Sequence, residues 1–309
     1  MTGLSGHTMK SALIRLSFCH VALLLCGLCV LAAEPGPYPP DVAGWTDAEK
    51  EAQRASGKVL QQELNEAIRN GTDRLDLPKG VYRFRAEIGD ARKVHFQILD
   101  AHNMVIDFHG STFYFEDQQR GFSIYKCSDL TIRNLNIDWD PLPFAQGVVS
   151  HLDPEHGTLD FSPDPGYEVP ARLRGEGARG RGLLFDQQGR VKADQEGFAV
   201  IPVETLDDGS TRFRVGIFYN RPFPESGFAV GDRIAVWMRA GRNYLPEVCG
   251  RIVSENINLW ASGFVAVCGN VGGGPLVFRN VRIEPRPGTN RLLGGNADGF
   301  NVRGMGKGP

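Results

Sequence analysis

The sequence predicts an all-β solenoid of parallel strands, preceded by one helix and interrupted by an inserted antiparallel β domain. Three observations predict it. First, LTIRNLNIDWDP at 130–141 aligns without a gap with LVFRNVRIEPRP at 276–287, sharing the pattern apolar-x-apolar-Arg-Asn-apolar-x-Ile-acidic. Second, Gly-Phe-x-apolar recurs at Gly121, Gly263 and Gly299, and a looser strand opener of Asn or Asp before apolar-x-apolar recurs in NMVI, DLTI and NINL. Third, helical periodicity disappears after about residue 70, leaving short alternating strands punctuated by Gly, Asn and Asp. Strand units with a turn residue at a constant place and no helices between them stack their equivalent positions in columns. Phe122, Phe264 and Phe300 are therefore expected in an aromatic stack, and Asn134 and Asn280 at a corner between faces.

The elements follow in order. Lys10 and Arg15 precede the apolar run FCHVALLLCGLCVLAA, the pattern of a secretory signal peptide over 1–33, with cleavage expected after Ala32 or Ala33. A Pro-rich stretch, EPGPYPPDVAG, leads into a helix whose start is marked by the capping-box spacing of Thr46 and Glu49. Leu60, Leu64 and Ile68 share one face, Gly57 is expected to bend or interrupt the helix, and Asn70-Gly71 ends it. LDLPKGVYRF then reads as strand, turn and strand, so that 34–144 forms an N-terminal cap and the first coils. From 145 to 242 the texture changes to longer strands joined by hairpin turns such as LDDGST, expected as a small antiparallel barrel or sandwich. Further coils are expected over 243–309, and the chain is expected to stop short of a complete site.

Charge and cysteine usage narrow the partners. Removing Lys10 and Arg15 with the leader takes the 34 basic residues to 32 against 36 acidic ones, a net charge of −4 without any basic run. Nucleic acid is not an expected partner. No later segment is long and apolar enough to span a membrane, so an exported, secreted or periplasmic, soluble protein is expected. Of six cysteines, Cys19, Cys26 and Cys29 leave with the leader. Cys127, Cys249 and Cys268 read as buried thiols, with a Cys249–Cys268 bridge open in an oxidising compartment. No cofactor and no metal site is expected, and the sequence carries no signal for an oligomeric state. GEGARG at 175–180 fits a dinucleotide glycine pattern, but a strand rather than a helix follows it, so it reads as a loop.

Two places carry candidate chemistry. In DWDP, Asp138 and Asp140 stand at i and i+2 and so share one strand face, with Trp139 on the other. Two carboxylates and a ring suit a sugar, although Asp138 also matches Glu284 in the repeat, which favours a structural role for it. In NADGF, ADGFNVR aligns with ASGFVAV, placing Asp298 where Ser262 stands in an earlier unit. The fold then does not require an acid at that slot, and catalysis is favoured over capping of a turn.

The helix with LPKGVYRF, the stretch IRNLNIDWDPLPFAQG and the tetrapeptide NADG together resemble right-handed parallel β-helix proteins of the pectin-lyase type. DPLPFAQG followed by an inserted barrel is most similar to the glycoside hydrolase family that includes bacterial α-1,3-galactosidases. The resemblance spans about Trp45 to Pro309. NADG also resembles the NTDG motif of polygalacturonases, which share that fold. It implies an exported, inverting, exo-acting α-galactosidase-like hydrolase of an oligo- or polysaccharide, of which this chain is an N-terminal fragment. Asp298 and Asp140 are the candidate catalytic carboxylates, and an Asp-Asp pair is expected about one coil beyond the chain's last residues. Asn296, Asn301 and Arg303 are candidates for binding sugar hydroxyls, and Trp260 and Trp139 for stacking on the sugar. A pectin-degrading enzyme, polygalacturonase-like or lyase-like, and a non-catalytic carbohydrate-binding or structural β-helix are the alternatives.

Overall fold

The computed structural model describes residues 45–86, 93–117, 119–174, 178–192, 197–216, 227–238, 242–262, 265–271, 274–294 and 299–304. The leader, the Pro-rich stretch, Phe264, Asn296 and Asp298 lie outside the described residues, as do the side chains of Arg303 and of the first two residues of one strand, Arg242 and Asn243. No described helix is long and apolar enough to cross a membrane.

Helix α1 (Asp47–Arg69) begins where the capping box requires. The Thr46 hydroxyl accepts from the Glu49 N–H at 3.2 Å, and the Glu49 carboxylate accepts from the Thr46 N–H at 2.7 Å. Such a cap stabilises a helix end by about 1 kcal/mol. Leu60, Leu64 and Ala67 form the buried stripe. Gly57 does not interrupt the helix, which runs unbroken through it. Its role is close approach: a Cβ there would lie 2.5 Å from the Arg83 carbonyl oxygen and 3.1 Å from the Phe84 ring. Sequence alone could not separate a helix-weakening glycine from a contact glycine, because the contacting strand was not on the helix.

The strands after the helix are β1 (Arg74–Asp76), β2 (Val81–Phe84), β3 (Val94–Leu99), β4 (His102–Phe115), β5 (Arg120–Tyr125) and β6 (Ser128–Trp139). Six more, β7 (Phe144–Asp153), β8 (Thr158–Pro163), β9 (Gly180–Phe185), β10 (Phe198–Thr205), β11 (Thr211–Gly216) and β12 (Arg233–Trp237), close into an antiparallel barrel in the order β10-β11-β8-β7-β12-β9. The chain then resumes with β13 (Arg242–Glu247), β14 (Ile252–Leu259), β15 (Val265–Val271), β16 (Leu276–Ile283) and β17 (Phe300–Gly304). Outside the barrel, successive strands from β3 onward alternate between two parallel sheets. Sheet I has the order β1-β4-β6-β14-β16, with β2 also on β4; sheet II has the order β17-β15-β13-β5-β3.

In-register parallel pairing converts the sequence repeat into columns. Leu130 pairs with Ile252 and Ile252 with Leu276, so the two halves of the repeat share one column with β14 between them. Asn134, Asn256 and Asn280 all adopt left-handed backbone, at φ 61°, 54° and 50°. Each amide donates to the one before it, Asn280 to Asn256 at 2.8 Å and Asn256 to Asn134 at 3.0 Å, and Asn134 donates to the Asp107 carboxylate at 2.8 Å. Asparagine tolerates this conformation and its side chain satisfies the next residue in the column, so one residue type both turns the corner and ties the layers.

The aromatic column is Phe96, Phe122 and Tyr244, with centroids 5.1 Å and 5.3 Å apart, and the ladder continues it to Val267 and Phe300. Val267, not Phe264, occupies the slot between Tyr244 and Phe300. The motif alignment is thereby corrected: Ser262 lies five positions before its column residue and Asp298 two before its own. The cause is unequal connection length, since Val267 follows the paired Leu259 closely whereas Phe300 follows Ile283 after a long excursion.

The three described cysteines are free thiols. Cys249 donates to the Ile124 and Glu247 carbonyls at 3.4 and 3.1 Å, and the Gly250 N–H bonds to the Cys127 carbonyl at 2.8 Å. Its chain neighbour across the turns is therefore Cys127.

Candidate functional site

Sheet I carries a polar and aromatic row on the face turned away from the core. Arg83 pairs with Tyr114, and Tyr114 with Asp138. Trp260 comes next, its N–H bonded to the Ile137 carbonyl at 2.9 Å, and Glu284 follows, its N–H 3.3 Å from the Leu259 carbonyl. Strand alternation sends Phe115, Trp139 and their neighbours inward and this row outward.

Asp138 is fully buried and held by two arginines from the segment after β16. Arg291, itself fully buried, reaches its two carboxylate oxygens at 2.7 and 2.9 Å, and Arg286 reaches it at 3.1 Å. The Arg286 guanidinium also donates to the Tyr114 hydroxyl and lies 4.7 Å from the centre of the Trp260 ring, within cation–π range. Asp140 is 5% exposed and faces Arg83 at 2.5 Å and Lys50 of α1 at 3.5 Å. Arg83 in turn lies 4.8 Å from the Trp45 ring and 5.1 Å from the Tyr114 ring, and donates to Gln53 at 2.6 Å. Glu116 accepts from two of the three Arg54 nitrogens at 2.8 and 2.9 Å, which extends this ion network beneath α1.

Each candidate residue therefore has a plain placement. Asp138 and Asp140 share a face but are engaged by different cations, Asp138 toward the barrel and Asp140 toward α1. In this arrangement Asp140 ties helix to sheet. Trp139 is 0% exposed, packed edge-on to Phe115 at 5.5 Å and to His95 at 5.4 Å. It is a core residue and offers no ring face to a sugar, which corrects the stacking expectation: alternation puts it inside, and a tryptophan there fills the layer. Trp260 is partly exposed, with one neighbour in Arg286. Asn301 is partly exposed on β17 beside Cys268, on sheet II, and Arg303 occupies the same strand. Asn296 and Asp298 lie outside the described residues, four and two positions before Phe300.

Residues that the sequence reading missed are Tyr114, Arg286, Arg291 and Gln146. Gln146 is fully buried at the root of β7, where its side-chain oxygen accepts from the Leu292 N–H at 2.6 Å. Its amide nitrogen donates to Asp164 at 2.8 Å and to the Asn290 carbonyl at 3.2 Å. The only available signal was two arginines in the Pro- and Gly-rich run EPRPGTNR directly after a repeat strand. Two atoms at this edge, the Trp260 indole nitrogen and the Asn290 side-chain oxygen, are buried without a hydrogen-bond partner among the described residues. Buried unpaired polar atoms are costly, so each calls for a partner such as an ordered water or a bound group.

One group of metal-ligand types occurs among the described residues: Asp76, Asp107 and His109 bring ligand atoms within 4.8 Å of one another. Their carboxylates are already engaged, Asp76 by Arg74 at 2.7 and 2.6 Å, Asp107 by Arg133 at 2.7 Å and by Asn134. Burial pushes the Asp107 carboxyl up, but the Asn134 amide, the His109 N–H and the Arg133 guanidinium together hold it below the ordinary aspartate value.

No protein-family model matches the chain. It is similar to alpha-1,3-galactosidase A of Shewanella woodyi, 24% identical over 235 residues that cover 67% of this chain and 35% of that protein. It is also similar to alpha-1,3-galactosidase B of Bacteroides thetaiotaomicron, 21% identical over 274 residues that cover 79% of this chain and 43% of that protein. The matched region thus spans less than half the length of either relative. This distant, partial similarity suggests a glycoside hydrolase.

Proposed function

We propose that this chain is part of an exported, inverting, exo-acting glycoside hydrolase that releases α-linked galactose. Similarity over most of the chain to two α-1,3-galactosidases carries the reading. The scaffold proposed for it is a right-handed parallel β-helix with an inserted β domain over 145–242. In favour stand the two parallel sheets visited alternately, the left-handed asparagine column inside the strands of sheet I, and the barrel strands between Phe144 and Trp237.

Inversion requires one carboxylic acid to protonate the leaving oxygen and one carboxylate to activate water, with their groups about 6.5–9.5 Å apart. Strands in a parallel sheet are spaced by about 4.8 Å, so acids on neighbouring or next-neighbouring layers meet that requirement. Asp298 is proposed as one of them. Asp140, neutralised by Arg83 and Lys50, is assigned to holding α1 rather than to chemistry. Trp260, with its unpaired indole N–H and partly exposed ring, is the proposed stacking platform, and Asn296, Asn301 and Arg303 the proposed hydroxyl ligands. Export follows from the leader-like segment at 1–33.

The test is release of galactose from an α-1,3-linked galactoside by the product of the complete gene, with the anomer of the first product read by proton NMR. Hydrolysis that yields the β-anomer and falls by at least about a thousandfold in Asp298→Asn supports the proposal. Saturable glycan binding without any release of sugar would replace it with a carbohydrate-binding β-helix.

A further inference from the structure

Strand β16 ends at Ile283, and the segment 284–294 crosses the outer face of sheet I to the root of the barrel. It is fastened at three places. Arg286 and Arg291 clasp Asp138 of β6. The Leu292 N–H and the Asn290 carbonyl both bond to the side chain of Gln146 on β7, while Leu292 itself is 5% exposed. Gly294 passes so close to the Phe144 ring that a Cβ would lie 2.3 Å from it, which leaves no room for any side chain. Within the segment, the Thr289 hydroxyl donates to the Arg286 carbonyl at 2.7 Å and closes a turn.

These fastenings lie on both sides of the junction between sheet and barrel, since β6 ends at Trp139 and β7 begins at Phe144. The buried partners have no reason to be polar for stability alone, because a buried ion pair is commonly replaced by apolar side chains without loss. What polar fastening adds is a single geometry. In sequence, four residues separate Gly294 from Gly299, and the chain is pinned again where the Gly299 carbonyl accepts from the Val267 N–H at 2.9 Å.

We infer that 284–294 is a strap which locks the barrel root to sheet I, and that Gln146 and Asp138 are positioning residues that fix the strap and its end at Gly294. The catalytic consequence rests on the glycosidase reading; the mechanical one does not. Gln146 is the key that fits both: it joins β7 to the strap with two bonds and, through Asp164, to Arg233 of β12.

The experiment is hydrogen exchange on the full chain, comparing wild type with Gln146→Leu, which keeps volume and removes the amide. The Leu292 amide should exchange about tenfold faster or more, with peptides from β6 and β14 unchanged. Thr289→Val, on the strap and partly exposed, serves as a second variant if Gln146→Leu does not fold, and should accelerate the same segment alone. Unchanged exchange over 287–294, or acceleration spread equally through sheet I and the barrel, overturns the inference. In a hydrolytically active protein Gln146→Leu should lower kcat with little change in KM. A loosened strap in a protein that never releases galactose leaves the strap standing and removes the glycosidase reading, whereas wild-type turnover unaffected by a loosened strap removes the positioning role.

Discussion

Replacing Asp138 by Leu should destabilise the protein by about 3–5 kcal/mol, the size expected when one partner of a buried ion pair is removed. The magnitude follows from the two arginines that would lose this carboxylate. Arg291 has no solvent-exposed side-chain surface and reaches both Asp138 oxygens through Nη1 at 2.7 and 2.9 Å, so its guanidinium would remain buried opposite an isobutyl group. Arg286 is 21% exposed and keeps its Tyr114 and Trp260 contacts, so it adds the smaller share. The Trp139 N–H, bonded to Asp138 at 2.9 Å, would also lose its acceptor. Such a loss is a large fraction of the 5–15 kcal/mol that holds a typical domain together. Urea unfolding followed by tryptophan fluorescence measures it, and Asp138→Leu combined with Arg291→Met should recover most of the loss. A single-variant effect below about 1 kcal/mol, or strict additivity in the double-mutant cycle, would refute the argument that the pair is desolvated and mutually dependent.

Gly57→Ala should destabilise by about 1–3 kcal/mol through overpacking against the Arg83 carbonyl, where an open helix site would instead gain about 1 kcal/mol; the sign in thermal melting decides between them. Because the folded Asp107 carboxyl sits below its unfolded value of about 3.9, its contribution is full above that pH and is lost as the pH falls through the lower folded value. Asp107→Asn should therefore flatten the acid limb of a stability–pH curve between those two points and leave its neutral limb lower but parallel. Burial pushes the Cys127 thiol up to about 12 and also raises that of Cys249, so iodoacetamide at pH 8 should label Cys268 first in the native protein. Equal labelling of all three without denaturant would contradict that.

Much of the architecture was legible in local pattern. The capping box, the gapless repeat that became a shared column, the corner asparagines and the change of texture into hairpins are short-range features, and local sterics and strand periodicity act on them directly. The candidate site was legible only in part. That Asp138 and Asp140 share a face opposite Trp139 is a consequence of the two-residue period, but which cations meet them is not. Asp138 meets arginines 148 and 153 residues away, and Asp140 meets a lysine on the first helix.

Sequence by itself determined the residue types available to each face, because alternation and repeat spacing depend on the nearest few residues. Only the tertiary structure decided what those residues do. It turned Trp139 into core, Gly57 into a contact rather than a break, and Gln146 into the joint between sheet, barrel and strap. The physical reason is that burial and charge pairing depend on what the chain brings back from far along its length, and unequal connections such as the long excursion between Ile283 and Phe300 set that register independently of the repeat.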